Sequence, residues 1–167
     1  MKKYFAFFIS LHFAAHCFAQ QSAEEYGKMI YQYIVNNNNQ LPNEFVDLVQ
    51  YTSYIDRLEK LPEEDREAIK ANASRSYSEV RQYFVEECSR ILKLYETNST
   101  LGATFEFRMS VFTQNKNFPD IGLVKCFYIA NIPAEEEPLE DAIVFECIKT
   151  ASGWRILDGF FDAPEIN

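Results

Sequence analysis

The sequence predicts an α+β domain, with N-terminal helices packed on one face of a curved four-stranded antiparallel meander. Three observations carry this. Apolar residues recur at steps of three and four as far as Tyr95. From Thr104 the period switches to two. The last two alternating runs are joined by the tight turn Ser152-Gly153. Helices first and strands after, with short connections, give helix-on-sheet layering and sequential strand pairing.

The first helix spans Ala23 to Val35, with Tyr26, Met29, Ile30, Tyr33 and Ile34 on its apolar side; Asn36 to Asn39 ends it. A second is expected from Asn43 to Lys60, with Asn43 as N-cap and Glu44 and Asp47 in the first turn. The longest runs from Pro62 to Glu96. It opens on Pro62-Glu63-Glu64-Asp65 and carries the stripe Ile69, Ala73, Tyr77, Val80, Phe84, Cys88, Ile91, Tyr95. Serines and Asn72 between Asn72 and Ser78 compete for backbone hydrogen bonds, so a kink or split is expected there. Four strands follow, at Thr104–Val111, Gly122–Asn131, Ala142–Thr150 and Trp154–Phe161.

Charged residues mark the wet face of the sheet: Glu106, Arg108, Lys125, Glu146 and Arg155. Alternation then turns Phe105, Phe107, Met109, Val111, Val124, Cys126, Tyr128, Ala130, Ile143, Phe145, Cys147, Trp154, Ile156, Asp158 and Phe160 inward. Cys88, Cys126 and Cys147 thereby face one core as buried thiols. A Cys126–Cys147 bridge is the alternative, if those two residues lie opposite each other.

Residues 1–19 read as a secretory signal peptide. Lys2-Lys3 precede an acid-free apolar run, and Ala19 is the small residue at the cut. The run is short for a membrane span. Anchoring through Cys17 is the weaker alternative, because His16 stands where lipidation favours a small residue. The lysine start and the glutamines after the cut have a bacterial character, so export reads as periplasmic or secreted. Residues 20–167 then form a single domain.

Cleavage would remove both histidines, His12 and His16, and would change sixteen basic against twenty-five acidic residues to fourteen against twenty-five, a net of −11. Such a surface disfavours nucleic acid and anionic lipid and suits a basic partner or simple solubility. Without histidine the mature chain has no Ser-His-Asp, Cys-His or histidine–metal site. The five glycines form no dinucleotide or phosphate loop, and no cofactor is implied. Glu135 to Asp141 lacks calcium-loop spacing and reads as a solvated acidic loop. Asn72-Ala73-Ser74 and Asn98-Ser99-Thr100 match the glycosylation acceptor pattern.

Three residues are ligand-binding candidates: Asp158, Tyr128 and Trp154. Asp158 falls on the inner face by alternation, and a buried carboxylate needs a partner; Tyr128 is the nearest inner polar group in the pattern. The alternative is an Asp158-Gly159 bulge that sends the carboxylate to water.

Helices before a four-strand meander ending in Gly153-Trp154-Arg155-Ile156-Leu157-Asp158 resemble the cystatin-like superfamily, which includes the nuclear transport factor two-like cone folds. The resemblance covers about Pro62 to Phe161. It implies a pocket between sheet and helices. The family's early hairpin and catalytic Asp-His pair are not matched here. The functional expectation is an exported, non-enzymatic binding or accessory protein for a protein or small ligand. The alternative is a cone-fold pocket protein or enzyme using Asp158 and Tyr128.

Overall fold

The computed structural model describes residues 21–133 and 135–161; the expected signal segment lies outside them. Its architecture is α+β: four helices precede an open antiparallel sheet of order β1-β2-β3-β4. The helices are α1 (Ala23–Val35), α2 (Leu48–Asp56), α3 (Glu63–Ala71) and α4 (Ala73–Thr100). The strands are β1 (Thr104–Gln114), β2 (Ile121–Asn131), β3 (Leu139–Thr150) and β4 (Gly153–Phe161).

Helix α1 starts on a capping box. Ser22 Oγ accepts from Glu25 N at 3.1 Å, and Ser22 N donates to Glu25 Oε2 at 3.0 Å. Tyr26, Ile30 and Ile34 are buried, and so is Tyr31. The helix lies close on β1 and β2 because position 27 has no side chain. A Cβ there would come within 2.5 Å of Val124 Cγ1.

The helix expected from Asn43 to Lys60 is corrected. Leu41–Glu44 is a 3₁₀ turn with Pro42 near its start. The chain then extends, and Val46 N donates to Ile156 O at 3.0 Å, in a parallel bridge of Phe45 with Ile156. That pairing blunts the free edge of β4 and buries Phe45 and Val46. Helix α2 begins only after Asp47, which caps it reciprocally with Gln50.

The expected break in the long helix occurs at Asn72 alone, whose Nδ2 donates back to Ala68 O at 3.1 Å. Beyond it, α4 runs to Thr100 and buries Ala73, Phe84, Cys88, Ile91 and Tyr95, as the stripe requires. Asn98 is also buried on α4, which keeps its side chain from solvent as a glycosylation acceptor.

On the sheet, β2 and β3 follow the expected phase: Val124, Cys126, Tyr128, Ala130, Ile143, Phe145 and Cys147 are all buried. The phase of β1 breaks. Phe107 pairs with Tyr128 but Met109 pairs with Phe127, so Arg108 is an extra residue. One extra residue inverts the alternation. Met109 and Val111, expected inside, face out at 53% and 36% exposed, and Ser110 and Phe112 turn inward.

In β4, Ile156 pairs with Cys147 and Phe160 with Phe145, leaving Leu157-Asp158-Gly159 opposite Glu146. Two extra residues restore the phase, so Phe160 is buried while Asp158 is exposed. The inward placement of Asp158 is therefore corrected to the bulge alternative.

All three thiols are buried and unbridged. Cys126 is opposite Ile143 and Cys147 opposite Gly122, so the two cysteines are not neighbours across the ladder. Burial pushes the Cys88 thiol up to about 12 and the Cys126 thiol to about 11.

Helices α1 and α4 fill the inner face of the sheet. Helix α2 stands beside the β3–β4 turn. Gln50 Nε2 donates to Ser152 Oγ at 3.1 Å there, and outward-facing Ile148 and Leu157 are buried.

Candidate functional site

The three residues singled out in the sequence stand apart. Trp154 is 7% exposed and serves as an anchor. Its Nε1 donates to Gln21 O at 3.0 Å, and its ring meets Phe112 edge-on at 5.2 Å. Tyr128 is 1% exposed, with the rings of Tyr31, Tyr95 and Phe105 around it. Burial raises its phenol above the ordinary tyrosine range. Trp154 pairs with Lys149, whereas Tyr128 pairs with Asp141 eight positions back along β3. At about 3.4 Å per residue, opposite ends of the strand hold them. The hydroxyls of Tyr31, Tyr95 and Tyr128 are buried without a hydrogen bond among the described residues.

Asp158 alone of the three lines a cleft. The groove holds about 360 Å³ between α4 and the β4 bulge, walled by Phe45, Val80, Tyr83 and Phe84, with Glu87, Asp158 and Gly159 at its edge. The bulge and the helix are locked together here. Glu87 Oε2 accepts from Phe160 N at 3.2 Å. The carboxylate lies where a side chain at position 159 would start, 1.8 Å from an added Cβ, so any larger residue there would push the Glu87 carboxylate aside. Asp158 Oδ1 accepts from Gly159 N at 2.7 Å.

Across the ladder from the bulge, Glu146 is half-buried. Burial, and then the nearby Asp158 charge, raise its carboxyl above the ordinary range. Burial and the Glu146 charge likewise raise the Tyr54 phenol. Glu87 and Tyr83 are functional candidates that periodicity did not isolate. The one signal in the chain is Gly159 after Asp158 inside a strand.

A second feature is the bare half of the outer face. Met109 lies opposite Phe127, Val111 opposite Lys125, and Thr113 opposite Leu123. Met109, Val111, Leu123 and Phe127 are all exposed, at 36% or more. Glu106 and Arg108 pair at 3.1 Å beside them. Among the described residues no three His, Cys, Asp or Glu side chains are placed to hold a metal ion, and no helix is long and apolar enough to cross a membrane.

No protein-family model, no curated protein and no solved structure matches this chain.

Proposed function

We propose that this is an exported, non-enzymatic binding or accessory protein that docks a basic partner protein on the bare half of its outer sheet face. Export rests on the Lys-Lys, apolar and Ala19 pattern of the first nineteen residues. The docking reading rests on the exposed apolar strip of Met109, Val111, Leu123 and Phe127. A soluble chain gains nothing by holding four large apolar side chains together in water, and such patches mark interaction surfaces. Charge selects the occupant. The chain as a whole carries −9. Glu140 and the paired Glu106 and Arg108 stand beside the strip, and Lys125 lies within it, so it is the net charge of the molecule that favours a basic partner. A second copy brings the same negative field, whereas a basic rim complements it.

The catalytic alternative needs Asp158 and Tyr128 in one pocket, and the two stand on different faces of different strands. The order of helices before an open four-strand meander supports the cystatin-like kinship as part of the proposal.

The test uses the full chain as bait against envelope extract, beside the double variant Met109→Ser with Phe127→Ser. Both sites are exposed, so the fold should survive. The expected result is a basic protein cross-linked to wild type, lost in the variant and weakened by salt. An identical captured set for both baits sinks the docking reading. Self-association of purified wild type in the ultracentrifuge replaces the basic partner by a second copy. Recovery of the chain only in the cytosolic fraction removes export.

A further inference from the structure

The bare apolar strip plays no part in the groove that carries Asp158, and that groove has a chemistry of its own. Its walls are Phe45, Val80 and Phe84, with the ring of Tyr83, 72% exposed, at the rim. Its two charged side chains are both carboxylates. Each is fixed through one oxygen by a backbone amide: Glu87 Oε2 by Phe160 N, and Asp158 Oδ1 by Gly159 N. The other oxygen of each is left for a further donor. Among the described residues neither carboxylate is paired with a lysine or arginine. Glu146, half-buried across the ladder, adds a third negative group to the same bulge.

We propose that this groove binds an organic cation on an apolar stem, that is, an alkyl ammonium or alkyl guanidinium group. The stem is covered by Phe45, Val80 and Phe84. The charged head lies between Glu87 and Asp158, within reach of the Tyr83 ring, where carboxylates and an aromatic face both favour positive charge. An anion meets two carboxylates and no cation in this lining. A bare metal ion meets too few ligands, since no three such side chains converge among the described residues. A neutral ligand would cover charged oxygens and give them no donor. At about 360 Å³ the groove accommodates one arginine-sized group. Two sources offer this chemistry: a lysine or arginine side chain of a protein, and a free amine or guanidine.

The experiment titrates the ¹⁵N-labelled full chain with four probes. These are acetyl-arginine methylamide, acetyl-lysine methylamide, butylguanidinium, and acetyl-citrulline methylamide as the neutral match. Saturable shifts of the Tyr83, Gly159 and Phe160 amides are expected with the cationic probes, at a Kd of about 1 mM as befits one side chain. Asp158→Asn with Glu87→Gln retains a side-chain oxygen to accept from each backbone amide and should weaken binding about tenfold or more, as loss of charged hydrogen bonds does. Tighter binding of the peptide-borne groups than of butylguanidinium assigns the site to a protein side chain; the reverse assigns it to a free cation. Equal shifts with citrulline, undiminished binding in the variant, or shifts spread over the whole acidic surface overturn the proposal. If the double variant loses its folded spectrum, Asp158→Asn alone decides, because that side chain is exposed.

Discussion

Glu146 shows at residue scale how far burial reaches into an acidic surface. Its charge predicts the wet face, yet it is half-buried opposite the β4 bulge and near Tyr54 of α2. Burial first, and the Asp158 charge second, raise its carboxyl above the ordinary value of 4.5. The folded chain therefore holds this proton more tightly than the unfolded chain does. As pH rises through 4.5 and above, the unfolded state loses the proton first, so this group subtracts stability as pH rises. Glu44 is raised in the same way by burial, against the opposing pull of Arg155 at 3.6 Å. Glu146→Gln removes the penalty and keeps the shape. Its urea midpoint at pH 7 should lie at or above that of wild type, and the difference should shrink toward pH 4. A variant less stable than wild type at pH 7 would mean that the carboxylate is held by favourable contacts.

At the scale of elements, the type and order of every strand and of the first and last helices were legible, because period and turn chemistry report locally. The phase of two strands was not. A bulge adds residues without changing composition, and neither Arg108 nor Leu157-Asp158-Gly159 differs in kind from ordinary strand residues, apart from Gly159. The shortened second helix was hidden for a different reason. Phe45 and Val46 are drawn into extended form by Ile156, more than a hundred residues away, which no local pattern records. The candidate site suffered most. Of the three candidates only Asp158 lines the groove, and its neighbours there, Glu87 and Tyr83, come from α4 rather than from the strand that carries Tyr128.

The β1 bulge makes a clear prediction at this scale. Met109→Ala should cost less than about 1 kcal/mol, as exposed positions do. Phe112→Ala strips the edge-on contact with Trp154 and should cost about 2 kcal/mol or more. Urea unfolding of the two variants measures both. The reverse order would restore strict alternation through Arg108.

For the whole molecule, the question is whether its charge holds it together or pushes it apart. Sixteen basic residues face twenty-five acidic ones, a net of −9. The attractive side is thin. Arg57–Asp120 and Arg75–Glu79 join side chains that are about half or more exposed, and such pairs contribute about 0–1 kcal/mol each. Glu44–Arg155 is better covered, with 16% and 30% exposure, but burial already works against its carboxylate. On the repulsive side, Glu87, Asp158 and Glu146 gather around one bulge, and Glu135 to Glu137 stand in one loop. Screening acts on both sides alike, shortening the reach of charge to about 8 Å at 0.15 M salt. The net charge of −9 leaves a residual repulsion that the few close ion pairs offset only weakly, so screening should stabilise the fold. Raising sodium chloride from about 0.01 to 0.15 M should raise the urea midpoint, because the screening length falls from about 30 Å to about 8 Å over that range. Sodium sulfate at equal ionic strength should give the same gain in this range, which separates screening from surface exclusion, an effect of much higher salt. A midpoint that falls with sodium chloride would show that the few ion pairs outweigh the net charge. Tying α2 to the β1–β2 loop would then fall to Arg57–Asp120, and Arg57→Ala would be the variant that abolishes the salt effect.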